Sequence, residues 1–200
     1  MRIGIDFDNT IICYDDVFCQ LAKSAKLVPE DYVGTKRELR EIVQASSEGD
    51  IAWQRLQGKA YGECLDMAQI FPGVKDFIAA CHAHGNVELF IVSHKTELGH
   101  FDEKKISLRD AARKWLRQQG FFDTTAAHMP ESNLYFESTR DQKIKRIRSL
   151  NCTHFIDDLT EVLDSPKFPT DVQGLLFQPD GDKQQVFTNW IDIKNAIFKH

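Results

Sequence analysis

Five short apolar runs constrain this chain more than any other feature. They are Ile3–Phe7 (IGIDF), Val87–Val92 (VELFIV), Asn133–Phe136 (NLYF), Thr153–Ile156 (THFI) and Gly174–Phe177 (GLLF). Runs this brief and this continuous read as strands buried on both faces. Stretches with helical periodicity lie around them. Gly73–His84 places Val74, Phe77, Ile78 and Cys81 on one face. Leu108–Gln119 stops at Gly120, a residue suited to ending a helix. Asp141–Leu150 leads into the fourth run, and Trp190–Phe198 follows the last. Apolar strands alternating with helices predict a parallel sheet covered on both sides.

One region breaks the alternation. From Tyr14 to Ile70 the chain looks mostly helical, with periodic stretches at Glu38–Ser46 and Ile51–Ala68 interrupted by Gly34, Gly49 and Gly58. This is too long for an ordinary crossover. The reading is therefore an α/β core over 1–13 and 71–200, with a helical cap inserted at 14–70. Ligands of open α/β sheets bind at the carboxyl ends of the strands, so the insertion is expected to act as a lid there.

Composition narrows the function classes. The 200 residues are 42% hydrophobic and 28% charged, an ordinary globular balance that also allows a sizeable core. The formal net charge of −5 provides no global attraction for nucleic acid or an anionic membrane, so an anionic ligand must be held locally. Five cysteines, an odd number with no C-x-x-C, argue against a disulfide framework or a zinc site. No signal-peptide pattern or membrane-length apolar run is found, and the expectation is a cytoplasmic protein. The sequence carries no signal for an oligomeric state.

The first run contains a paradox. Asp6 and Asp8 stand in and just after an apolar strand, where an isolated carboxylate is costly. Asp157 and Asp158 follow another strand directly. Carboxylates meeting at one sheet edge form an oxygen-rich site suited to Mg²⁺.

The motif "DFDNT" resembles the D-x-D-x-T signature of the haloacid dehalogenase-like hydrolases, most of which are phosphatases. Their other motifs have counterparts in the same order: Ser93 in "LFIVSHK", Lys143 or Lys145 in "TRDQKIKRI", and Asp157 with Asp158 in "FIDDLTEV". "FPGVKDFI" also resembles the family's usual approach to its second motif. The resemblance covers the core and implies a Rossmann-like three-layer α/β fold with a small helical cap after the first motif.

It also implies a chemistry. Asp6 would attack phosphorus and form an aspartyl-phosphate, and Asp8 would serve as general acid and base. Ser93 would donate a hydrogen bond to the phosphoryl group, and Lys143 would stabilise Asp6 and the transferring group by charge. Mg²⁺ would be held by Asp6, the Asp8 backbone carbonyl and the second acidic pair, with Asp158 the expected direct ligand and Asp157 its partner. Thr10 would orient the loop, and Asn9, His94 and Lys95 are candidate substrate contacts. The family's dehalogenases lack the second acid, so Asp8 favours phosphoryl chemistry.

Each of these residues also has an ordinary role. Asp6 and Asp8 can form an Asx-capped turn, Ser93 can cap a helix, and Lys143 can belong to a solvated basic face. Asp158 with Glu161 fits a capping box. Lys36, Arg37 and Arg40 read as a solvated face, and Trp53 and Tyr61 as core. His82, His84, His100 and His128 lack metal-binding spacing. The expected activity is a Mg²⁺-dependent phosphatase for a small phosphorylated metabolite, a sugar phosphate or nucleotide, with no nucleic-acid or membrane partner. The alternatives are a phosphotransferase of the same family, or a binding or regulatory module that kept the fold.

Overall fold

The computed structural model describes residues 1–101, 104–123 and 129–198; His128 lies outside them. The strands are β1 (Arg2–Ile5), β2 (Ile12–Cys13), β3 (Gln69–Ile70), β4 (Glu88–His94), β5 (Leu134–Glu137), β6 (His154–Asp157) and β7 (Gln173–Leu176). The helices are α1 (Asp15–Ser24), α2 (Lys36–Gln44), α3 (Gly49–Tyr61), α4 (Val74–Ala83), α5 (Leu108–Gln118), α6 (Arg140–Ser149), α7 (Thr160–Leu163) and α8 (Trp190–Ile197). They divide into a sheet unit, Met1–Ile12 with Ile70–Lys95 and Arg117–His200, and a helical unit, Cys13–Gln69 with Thr96–Leu116.

The five apolar runs form one parallel sheet in the order β5-β4-β1-β6-β7. In β4, alternate residues serve opposite faces, which is why the run is continuously apolar. Phe90 and Val92 join Phe155 of β6, Ile144 and Ile147 of α6 and Val162 of α7 in one cluster. Leu89 and Ile91, with Ile5 of β1, meet Ile78 of α4, Phe121 and Met129. Behind that layer Phe77 of α4 packs on Trp190 of α8, ring centroids 5.1 Å apart. The result is a three-layer α/β fold. Gly4 makes one close approach possible, because a Cβ there would fall 2.5 Å from the Phe155 ring.

The helical unit is built on aromatic packing. Phe18 of α1 stacks on Trp53 of α3 with centroids 4.8 Å apart, and Tyr14 and Tyr61 meet edge to face at 4.9 Å. Thr35 and Glu38 form a capping box that starts α2. The periodic stretch Ile51–Ala68 is not one helix. It ends at Tyr61, where Gly62 leaves helical geometry, and a 3₁₀ turn follows at Leu65–Met67.

Helix α5 departs from the expected alternation. Most of it belongs to the helical unit and not to the sheet's cover. The buried Trp115 indole donates to the Ala68 carbonyl at 3.3 Å, and Lys114 pairs with Asp66 at 3.1 Å. The helical unit thus joins Thr96–Leu116 to Cys13–Gln69, where the sequence suggests an insertion of 14–70 alone. Strands β2 and β3 pair with each other in a separate two-stranded sheet. All five cysteines are free thiols. Among the described residues no helix is long and apolar enough to cross a membrane.

Candidate active site

Strand β1 lies at the centre of the sheet, so whatever follows it is flanked by the ends of β4 and β6. The Asp6 amide donates to the Ile156 carbonyl at 2.9 Å, which carries the ladder one residue beyond β1 and fixes Asp6 beside Asp157. On the other side the Lys95 amide donates to the Glu137 carbonyl at 2.9 Å, one residue beyond β4. Sheet register therefore brings residues from three strand ends to one edge.

Asp6 is buried, and Lys143 is equally enclosed. Helix α6 begins at the Thr139 cap, whose hydroxyl accepts the Gln142 amide, and Lys143 lies one turn in, on the face shared with Ile144 and Ile147. The Lys143 ammonium donates to Asp6 Oδ1 at 2.6 Å and lies 2.7 Å from Asp157 Oδ2. Lys145 is exposed. Burial by itself would lower the Lys143 pKa, but Asp6 and Asp157 outweigh it and hold the ammonium above the ordinary lysine value. Burial pushes the Asp6 carboxyl up to about 7, against the pull of Lys143 and helped by the repulsion of Asp157 and Asp8.

Asp157 is fully buried at the end of β6, and its Oδ1 accepts the Leu159 amide at 3.1 Å. Asp158 is half-buried; its Oδ2 accepts from Asn9 Nδ2 at 3.3 Å, and its carbonyl accepts from Gln178 at 3.2 Å. One carboxylate oxygen each from Asp6, Asp157 and Asp158 can be chosen so that all three lie within 4.8 Å of one another. Three converging hard oxygens suit a divalent cation such as Mg²⁺.

The remaining candidates divide by position. Asn9 has a left-handed backbone (φ 58°), a conformation Asn tolerates, in the turn that follows β1. Thr10 is fully buried; its carbonyl accepts the Trp190 indole at 3.2 Å, and its hydroxyl has no hydrogen-bond partner among the described residues. Ser93 is buried near the end of β4. His94 is exposed, and its Nε2–H donates to the Ser138 carbonyl at 3.1 Å. Desolvation, with Lys143 and Arg140 nearby, lowers its pKa. Lys95 is buried, with its ammonium on Asp8.

Sequence reasoning missed two features of this edge. Gln178 supports the Asp158 turn from just beyond β7, and its only signal was a place at a strand end. The pairing of Lys95 with Asp8 left no sequence signal, because the partners are joined only through sheet register.

No family model matches this chain, and no curated protein matches it in sequence. Solved structures do match its fold. A haloacid dehalogenase-like family hydrolase, SP0104 from Streptococcus pneumoniae, aligns at TM-score 0.59 and 14% identity over 98% of this chain and 97% of its own. A HAD family hydrolase from Deinococcus radiodurans, solved with bound phosphate and sodium, aligns at TM-score 0.59 and 14% identity over 98% and 94%. Protein Tyrosine Kinase A from Mycobacterium tuberculosis aligns at TM-score 0.56 and 14% identity over 98% and 97%. With its five-stranded parallel sheet and the helices on both faces, this chain has the haloacid dehalogenase-like fold.

Proposed function

We propose that this chain is a Mg²⁺-dependent phosphatase for a small phosphorylated metabolite, such as a sugar phosphate or nucleotide, acting through an aspartyl-phosphate. The observation that carries the reading is Asp6, a carboxylate buried at the centre of the sheet edge, held by Lys143 and set two residues before a second carboxylate. The phosphate bound to the Deinococcus relative supports the same reading.

In the first step an Asp6 oxygen attacks phosphorus, and the bond from phosphorus to the leaving oxygen breaks. Asp8 gives that oxygen its proton. In the second step Asp8 takes a proton from water, the water oxygen attacks phosphorus, and inorganic phosphate leaves with the Asp6 carboxylate restored. Lys143 holds Asp6 in place and supplies positive charge beside the transferring group. Ser93 would donate a hydrogen bond to a phosphoryl oxygen. Asp6, Asp157 and Asp158, with the Asp8 carbonyl, would hold Mg²⁺, whose charge offsets the repulsion between carboxylate and phosphate.

The test is phosphate release from an aryl phosphate, with Mg²⁺ and with chelator, for wild type and Asp6→Asn. Mg²⁺-dependent release that Asp6→Asn abolishes supports the reading; release that persists in Asp6→Asn overturns it. A second reading, transfer to an acceptor other than water, draws on the likeness to the chain named a tyrosine kinase. It predicts a phosphorylated acceptor in place of free phosphate.

A further inference from the structure

Four charged side chains are buried among the described residues: Asp6, Asp157, Lys143 and Lys95. The first three form one cluster. Lys95 is the fourth, and its ammonium donates to both oxygens of Asp8, at 2.9 Å to Oδ1 and 2.7 Å to Oδ2. A buried ammonium is costly without a counter-charge, so the fold commits this cation to Asp8 as it commits Lys143 to Asp6 and Asp157. Both ends of Lys95 are fixed. Its backbone extends the β4–β5 ladder, and its Nζ lies 5.3 Å from the centre of the Phe7 ring.

We infer that Lys95 is a positioning residue for Asp8, orienting the carboxylate that hands its proton to the leaving oxygen. This rests on the phosphatase reading above. A cation on both oxygens fixes the plane of the ionised carboxylate as well as its place; when Asp8 carries the proton it hands on, the ammonium keeps the unprotonated oxygen and so aims the O–H of the other at the atom that receives it. Lys95 therefore acts through Asp8 and not on the phosphoryl group, which has Lys143 beside it. The cost of losing Lys95 must then scale with how much the leaving group needs a proton.

The experiment compares kcat/KM for wild type, Lys95→Met and Lys95→Arg on two Mg²⁺-loaded substrates, an alkyl phosphate and 2,4-dinitrophenyl phosphate. The dinitrophenolate departs without protonation. Lys95→Met should lose about 10²-fold on the alkyl phosphate, the low end of general acid catalysis, and only a few-fold, roughly, on the dinitrophenyl ester. Lys95→Arg, which retains a cation, should recover part of the alkyl loss. Added to Asp8→Asn, Lys95→Met should cost nothing further, because the residue through which it acts is gone. Circular dichroism and Mg²⁺-dependent binding of beryllofluoride should be unchanged by Lys95→Met. If that variant does not fold, Lys95→Gln carries the same comparison. Equal losses on both substrates, no loss at all, or additive losses in the Asp8→Asn background would each overturn the inference and leave the phosphatase reading standing. No release by wild type from either ester would overturn both.

Discussion

The two units bury different things. Every described buried polar or charged side chain lies in the sheet unit: Asp6, Thr10, Ser93, Lys95, Asn133, Lys143 and Asp157. The buried side chains of the helical unit are apolar, with aromatic rings at their centre, and its ion pairs lie at the surface. The difference teaches where each kind of stabilisation resides. Apolar and aromatic packing holds the helical unit together without regard to chemistry. The sheet unit carries a desolvation cost at its carboxyl edge, offset by the pairing of Lys143 with Asp6 and Asp157 and of Lys95 with Asp8.

Substitutions can break that contrast. Lys143→Met leaves Asp6 and Asp157 buried without their shared cation, and should cost about 3–5 kcal/mol in urea unfolding. It should also abolish phosphate release. Asp6→Asn in the same chain should return part of the stability and none of the activity. A comparable loss in the helical unit requires volume and not charge. Trp53→Ala removes the ring stacked on Phe18 and should cost about 3 kcal/mol or more, with no dependence on Mg²⁺.

Metal should sharpen the contrast. At a hundred times its Kd, Mg²⁺ should stabilise wild type by about 2.7 kcal/mol, and the gain should vanish in Asp158→Asn. Smaller effects belong to the helical unit's own cations. The Lys36 ammonium lies 5.2–5.5 Å from the ring centres of Tyr14, Phe18 and Tyr61 and donates to the Tyr61 hydroxyl at 2.8 Å. Lys36→Met should cost about 1–2 kcal/mol, read as a shift in thermal midpoint. Arg37, paired with Glu41 at the exposed surface, should tolerate alanine at a cost below about 0.5 kcal/mol.

The sheet unit was the more legible of the two in the sequence. Its strands are continuous apolar runs because both faces are covered, and the candidate residues Asp6, Asp8, Ser93, Asp157 and Asp158 stand at or just past the ends of those runs. Lys143 separates from Lys145 once Ile144 and Ile147 are seen to mark the inner face of α6. What could not be read was anything joined only across space. The pattern Leu108, Ala112, Trp115 and Leu116 shows that α5 buries a face, and nothing in it says that Ala68 supplies the acceptor. Two-residue strands such as β2 and β3 are too short to have a period. Lys95 reads in the sequence as a candidate substrate contact, and its pairing with Asp8 is invisible there because it is set by the register of β1 against β4.

The central position of β1 bears on how the molecule is made. It precedes both of its neighbours, β4 and β6, by a long stretch of chain: Ile3 pairs with Leu89 and with His154. A nascent chain that has just emerged past α3 carries an apolar strand with both edges unpaired and an Asp6 with neither Lys143 nor Asp157 to face. Local order can form early in the helices of 15–61, whereas the sheet must await distant segments, a topology associated with slow folding and exposed edges. The carboxylate-lined edge is therefore among the last parts of the protein to exist, and a chain truncated before residue 154 has no means of building it.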